Sequence, residues 1–137
     1  PFQGELTLLK VTENIPFDVD NMTMNPIIVP KKNDTIVTVV DSRQSSTKWK
    51  LYVNYVNPMI EKSGKVLLDS LFFKKFDNDS IDLKTEKKLI FEASDNGGNV
   101  SVSNVTFSPD KGLYLKPSSS LLEDEDYSTL IIWSVEE

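Results

Sequence analysis

At 137 residues and 15.5 kDa the chain has room for one domain with a real core and hardly for two. Apolar residues make up 39% and charged residues 26%, a balance that fits neither disorder nor a membrane-spanning helix. Histidine and cysteine are absent, which excludes Ser-His-Asp and Cys-His nucleophiles, thiolate chemistry, the usual zinc sites and any disulfide framework. The formal charge of -6 is local: residues 123–137 hold six acids and no base, and removing them leaves fifteen acids against fifteen bases. Only Arg43 among those bases is an arginine and the lysines are scattered, so the electrostatic footprint of a nucleic-acid binder is missing.

Four of seven prolines (Pro1, Pro16, Pro26, Pro30) restrict the first thirty residues to short extended pieces and turns, with Gly4 to Val11 the best strand. Thr35 to Asp41, dense in β-branched residues, predicts a strand. In Lys48 to Val56 the alternation turns Trp49, Leu51, Val53 and Tyr55 to one face and Lys50, Tyr52 and Asn54 to the other. Residues 57–76 fit a helical stripe or short strands; the breaks at Asn57-Pro58 and Ser63-Gly64 and the propensity of "LFFKKF" favour β. Lys88 to Ala93 and Val100 to Phe107 flank Asp95-Asn96-Gly97-Gly98, whose Asn-Gly step suits a hairpin turn. A short strand at Leu113 to Leu115, a polar loop over Pro117 to Asp126 and a last strand from Tyr127 to Val135 complete the chain. The expected fold is all-β: one domain over residues 1–137, a single antiparallel sandwich of about seven or more strands, Ig-like or Greek-key in type.

Trp49-Lys50-Leu51 and Trp133-Ser134-Val135 each put a tryptophan and an aliphatic on the same face of a strand. Two readings stay open for each: a core residue, or an exposed platform whose indole face matches the C–H face of a sugar ring. The last strand is apolar on both sides, with Thr129, Ile131, Trp133 and Val135 on one face and Leu130 and Ile132 on the other. Either something covers the second face or it binds something.

The run "TIVTVVDSRQSSTKWKLYV", a strand ending in Asp-Ser-Arg, a polar loop and then Trp-Lys-Leu, resembles the first motif region of the WxL domain of Gram-positive cell-surface proteins. "LYLKPSSSLLEDEDYSTLIIWSVEE" is similar to that family's closing segment, and "GELTLLKVTENIPFDV" to its first strand. The specific part is the conjunction of Asp41, Arg43, Trp49 and Leu51 with Trp133 near the end; Val135 stands where the family usually has leucine. The resemblance implies a secreted protein held non-covalently on the Gram-positive cell wall by peptidoglycan, beside other surface proteins encoded with it. Trp49, Leu51, Trp133, Val135, Asp41 and Arg43 are then the candidate binding residues for peptidoglycan or a partner. The alternative is a protein–protein interaction module of a cell-surface complex in which the tryptophans are structural.

Asp41 and Arg43, two residues apart at a strand end, either fix the loop leading to Trp49 or leave Arg43 to recognise a peptide-stem carboxylate. Asp77-Asn78-Asp79-Ser80-Ile81-Asp82 fails the EF-hand template, with Ile81 and Asp82 at positions that need a ligand and a glycine. Nothing places two acids across a cleft, so neither an enzyme, a metal nor a cofactor is expected. The five Asn-x-Ser/Thr sequons are read as incidental, and the Pro1-Phe2 start as a mature or trimmed product.

Overall fold

The computed structural model describes residues 4–44, 48–61, 66–67, 69–94, 99–117 and 127–137. In chain order the strands are β1 (Leu6–Val11), β2 (Thr23–Met24), β3 (Ile27–Ile28), β4 (Thr35–Asp41), β5 (Trp49–Tyr55), β6 (Met59–Glu61), β7 (Val66–Leu67), β8 (Leu71–Lys74), β9 (Ser80–Asp82), β10 (Lys88–Ala93), β11 (Ser101–Phe107), β12 (Gly112–Leu115), β13 (Tyr127–Ser128) and β14 (Ile131–Glu136). One short 3-10 turn, Val19–Asn21, interrupts them. The fold is all-β, and every ladder is antiparallel.

The expectation of a single sandwich is corrected. The ladders form four three-stranded sheets, ordered β1-β4-β11, β10-β5-β14, β12-β8-β9 and β13-β6-β7, and a β2-β3 ribbon. Strands of two to four residues cannot sustain a wide sheet, and Pro30 and Pro58, next to β3 and β6, have no N–H to lend a ladder. Single contacts stitch the pieces instead: Val29 and Leu115 exchange both backbone hydrogen bonds at 2.8 and 2.9 Å, and Tyr55 N–H of β5 donates to Lys84 O, just beyond β9, at 3.1 Å.

A second correction concerns the hairpin expected around residues 95–98. That turn lies outside the described residues, but β10 pairs with β5 and β11 with β4, so the two strands belong to different sheets. β4 and β5 are the central strands of the two largest ladders, which suits their β-branched and alternating sequences. Val37 and Val39 from β4, with Trp49, Leu51 and Val53 from β5, enter one hydrophobic cluster. Leu71 and Phe73 from β8, Val105 and Phe107 from β11, and Leu113 and Leu115 from β12 complete its centre.

Candidate functional site

β4 ends in a buried ion pair. Arg43 grips Asp41 through a fork, Nε donating to Oδ1 at 2.9 Å and Nη2 to Oδ2 at 3.0 Å, while the Arg43 backbone N–H donates to the same carboxylate at 3.1 Å. Nη2 also donates to Lys48 O at 3.2 Å, at the doorstep of β5. The hydrogen bonds from Arg43 outweigh burial and hold the Asp41 carboxyl below the usual range, and Asp41 in turn raises the guanidinium. Nη1 has no hydrogen-bond partner; its nearest acid is the exposed Glu137, at 3.5 Å. Beside the pair, Gly4 (φ 74°) has no room for a side chain, since a Cβ would sit 1.9 Å from Ser42 O. Of the two roles open to Asp41 and Arg43, this geometry fits the first: the pair pins the ends of β4, of β5 and of the C-terminal strand together.

The two Trp-x-aliphatic triplets, 84 residues apart in sequence, lie on neighbouring strands. Val135 stands opposite Leu51, and Trp133 opposite Val53. The tryptophans also end a continuous run of rings that stays in or against the core except at Phe76, which is exposed. Trp49 touches Phe91 (5.7 Å between centroids), Phe91 touches Phe76 (5.8 Å), Phe76 stacks on Phe107 (4.7 Å), and Phe107 meets Phe73 edge-on (5.0 Å). Phe73 then meets Trp133 edge-on at 6.2 Å. Edge and offset contacts at these distances are the favourable ones for aromatic quadrupoles. With 2% of its surface exposed, Trp49 is a core residue, and Leu51 is fully enclosed; neither offers a face to a sugar. Trp133 and Val135 are half-buried and packed against the same cluster. The exposed-platform role is therefore withdrawn for Trp49 and Leu51, because the alternation that aligns them points inward.

The second face of β14 is open. Leu130 is 72% exposed and Ile132 45%, and Val56, whose N–H donates to Leu130 O at 3.0 Å, is exposed beside them. Glu136 is held by Lys87 at 2.5 Å, so two acids of the C-terminal excess, Glu136 and Glu137, are engaged by cations of the body. Glu123 to Asp126 lie outside the described residues.

Sequence reasoning passed over Lys31, in a Lys-Lys pair that reads as a polar strand boundary. Its side chain is buried, and Nζ donates to Phe107 O (3.0 Å), Ser108 O (2.6 Å) and Lys111 O (2.6 Å). The ammonium thus caps the turn between β11 and β12, satisfying three main-chain acceptors with its three donors. Gly112 (φ 80°) leaves it space: a Cβ there would come within 3.3 Å of Nζ and 3.0 Å of Phe107. Burial lowers Lys31 to about 8, against the opposing pull of Asp34 and Asp110, which keeps it charged at neutral pH. No local pattern signals such a lysine; only its partners, some 76 to 80 residues downstream, reveal it.

In the Asp77 to Asp82 turn, Lys75 Nζ lies 3.7 Å from both Asp77 and Asp79. Among the described residues, no group of three or more acids comes together as a metal cage. Comparison with family models, curated proteins and solved structures gave no match to this chain.

Proposed function

We propose that the chain is a non-catalytic module that attaches non-covalently to the Gram-positive cell wall by binding peptidoglycan, as a secreted surface protein without a cofactor. One observation supports this reading: the residues that carry the WxL resemblance are joined in space as well as in sequence. Asp41 and Arg43 fasten the strand ends, Leu51 and Val135 face one another across β5 and β14, and the two tryptophans terminate one run of rings. Here the motif residues build the body that presents a binding surface. Co-sedimentation of the purified chain with protein-free sacculi tests it. Pelleting is the expected result, and recovery of the wild type in the supernatant would sink the proposal.

The exposed Val56, Leu130 and Ile132 on the outer side of β14 favour a second reading, a docking surface for another surface protein. Leu130→Lys/Ile132→Lys separates the two: sacculus binding survives it, whereas binding to a protein on that face is abolished.

A further inference from the structure

The sheet β12-β8-β9 has one face in the core and one in solvent. Leu113 and Phe73 point inward, while Phe72 and Tyr114, directly opposite each other across β8 and β12, point out. Their rings lie 5.6 Å apart and within 21° of parallel, are partly exposed, and take no part in the hydrophobic cluster. Lysines bracket them. Lys74 follows Phe72 by two residues and Lys116 follows Tyr114 by two, so on antiparallel strands they stand on the same face at opposite ends of the ring pair. Lys116 Nζ sits 5.9 Å from the centre of the Phe72 ring. Among the described residues neither lysine is in an ion pair, whereas the nearest acid of the row, Asp82, is held by Lys84 at 3.1 Å. Asp82 stands directly opposite Phe72, and Asp110, in the turn before β12, feels the charge of Lys74.

We propose that this outer face binds an anionic sugar polymer, with pyranose C–H faces on Phe72 and Tyr114 and carboxylates or phosphates of the polymer on Lys74 and Lys116. The chemistry follows from the two elements together. An aromatic face carries negative charge density that attracts polarised C–H groups, and the ammonium groups of Lys74 and Lys116, in no ion pair among the described residues, attract anions before contact. The spacing suits a repeating chain: two residues along a strand span about 7 Å, so the Cα atoms of the two lysines lie roughly 13 to 14 Å apart along the strands, a few sugar units of an extended glycan. The identity of the polymer as a wall component rests on the function proposed above.

The test is pelleting with protein-free Gram-positive sacculi, used before and after hydrofluoric acid removes phosphodiester-linked polymers. Wild type is compared with Phe72→Thr/Tyr114→Thr, which keeps strand propensity, and with Lys74→Gln/Lys116→Gln, after circular dichroism establishes folding. Loss of two stacking rings is expected to weaken binding about tenfold or more. The lysine variant is expected to bind severalfold more weakly at low salt, with the difference closing at high salt. Retention of binding after acid extraction assigns the anion to peptidoglycan carboxylates, and loss assigns it to the phosphate-bearing polymers. Undiminished pelleting of the folded aromatic variant would overturn this site while leaving wall attachment standing; failure of the wild type to pellet would overturn both. Were the aromatic variant not to fold, the lysine variant decides, and salt-independent binding equal to wild type would refute the site.

Discussion

Two groups of aromatic side chains stand in contrast. The rings from Trp49 to Trp133, each packed on the next and all but the exposed Phe76 belonging to the core or packed against it, link the sheets that the backbone leaves separate. Phe72 and Tyr114 lie on the far side of β8 and β12, against each other and beside Lys74 and Lys116. Phe72 and Phe73 are sequence neighbours, yet one belongs to each group, because successive side chains of a strand point to opposite faces. Residue type alone therefore says little about role here. The tryptophans, the natural candidates for a sugar platform, hold the fold, and the less conspicuous pair faces solvent.

If that division is right, substitutions in the core should cost stability and those on the outer face should not. The largest effect is expected for Trp49→Ala, about 3–5 kcal/mol by chemical denaturation, since it removes the end of the ring run and opens a cavity. A loss under about 1 kcal/mol would break the contrast. Arg43→Ala comes next, at about 3 kcal/mol, because it strands the buried Asp41 carboxylate without its fork. The sign of its pH dependence follows from Asp41. The carboxyl is lowered in the fold, so its stabilisation is complete above the ordinary value near 4 and is lost as pH falls through the lowered one. Arg43→Ala should accordingly flatten the acid limb of the stability curve, measured as denaturation midpoint against pH.

Lys31→Met should cost about 2 kcal/mol at pH 7, by leaving carbonyls in the β11–β12 turn unpaired. Lys31 titrates near 8 in the fold and 10.5 in the unfolded chain, so between these values the unfolded state binds more protons. Its contribution to stability then rises with pH, by at most about 1.4 kcal/mol per unit. The deficit of the Met variant should widen from pH 8 to 10.5; a constant deficit would show that Lys31 titrates normally. The smallest effect is expected for Phe72→Thr/Tyr114→Thr, about 1 kcal/mol or less, since only a solvent-facing cross-strand pair is lost.

The alternation of Trp49, Leu51, Val53 and Tyr55 was enough to find β5 and its buried face, and β4 and β10 begin and end where their sequences predict. Local patterns of this kind report which residues share a face. They do not report which strand lies alongside, so the hairpin between β10 and β11 looked natural and the partners proved to be β5 and β4. The same limit hid both unexpected features. Lys31 is defined by carbonyls distant in the chain, and Phe72 and Tyr114 become a pair only through the β8–β12 register. The stretch 57–76 was ambiguous because its strands are short, and the apolar run from Tyr127 is broken at residues 129–130 into β13 and β14. The choice between core and platform for the tryptophans could not be made from alternation, which leaves open whether a given face is covered.

The division between a structural and a solvent-facing set of aromatics is tested most directly by the fluorescence of Trp49 alone, in a Trp133→Phe variant, titrated with acrylamide without and then with protein-free sacculi. The account predicts a blue-shifted emission that resists quenching and stays the same while the protein pellets. Red-shifted, readily quenched emission that becomes protected only on the sacculi would contradict it and return Trp49 to the binding surface.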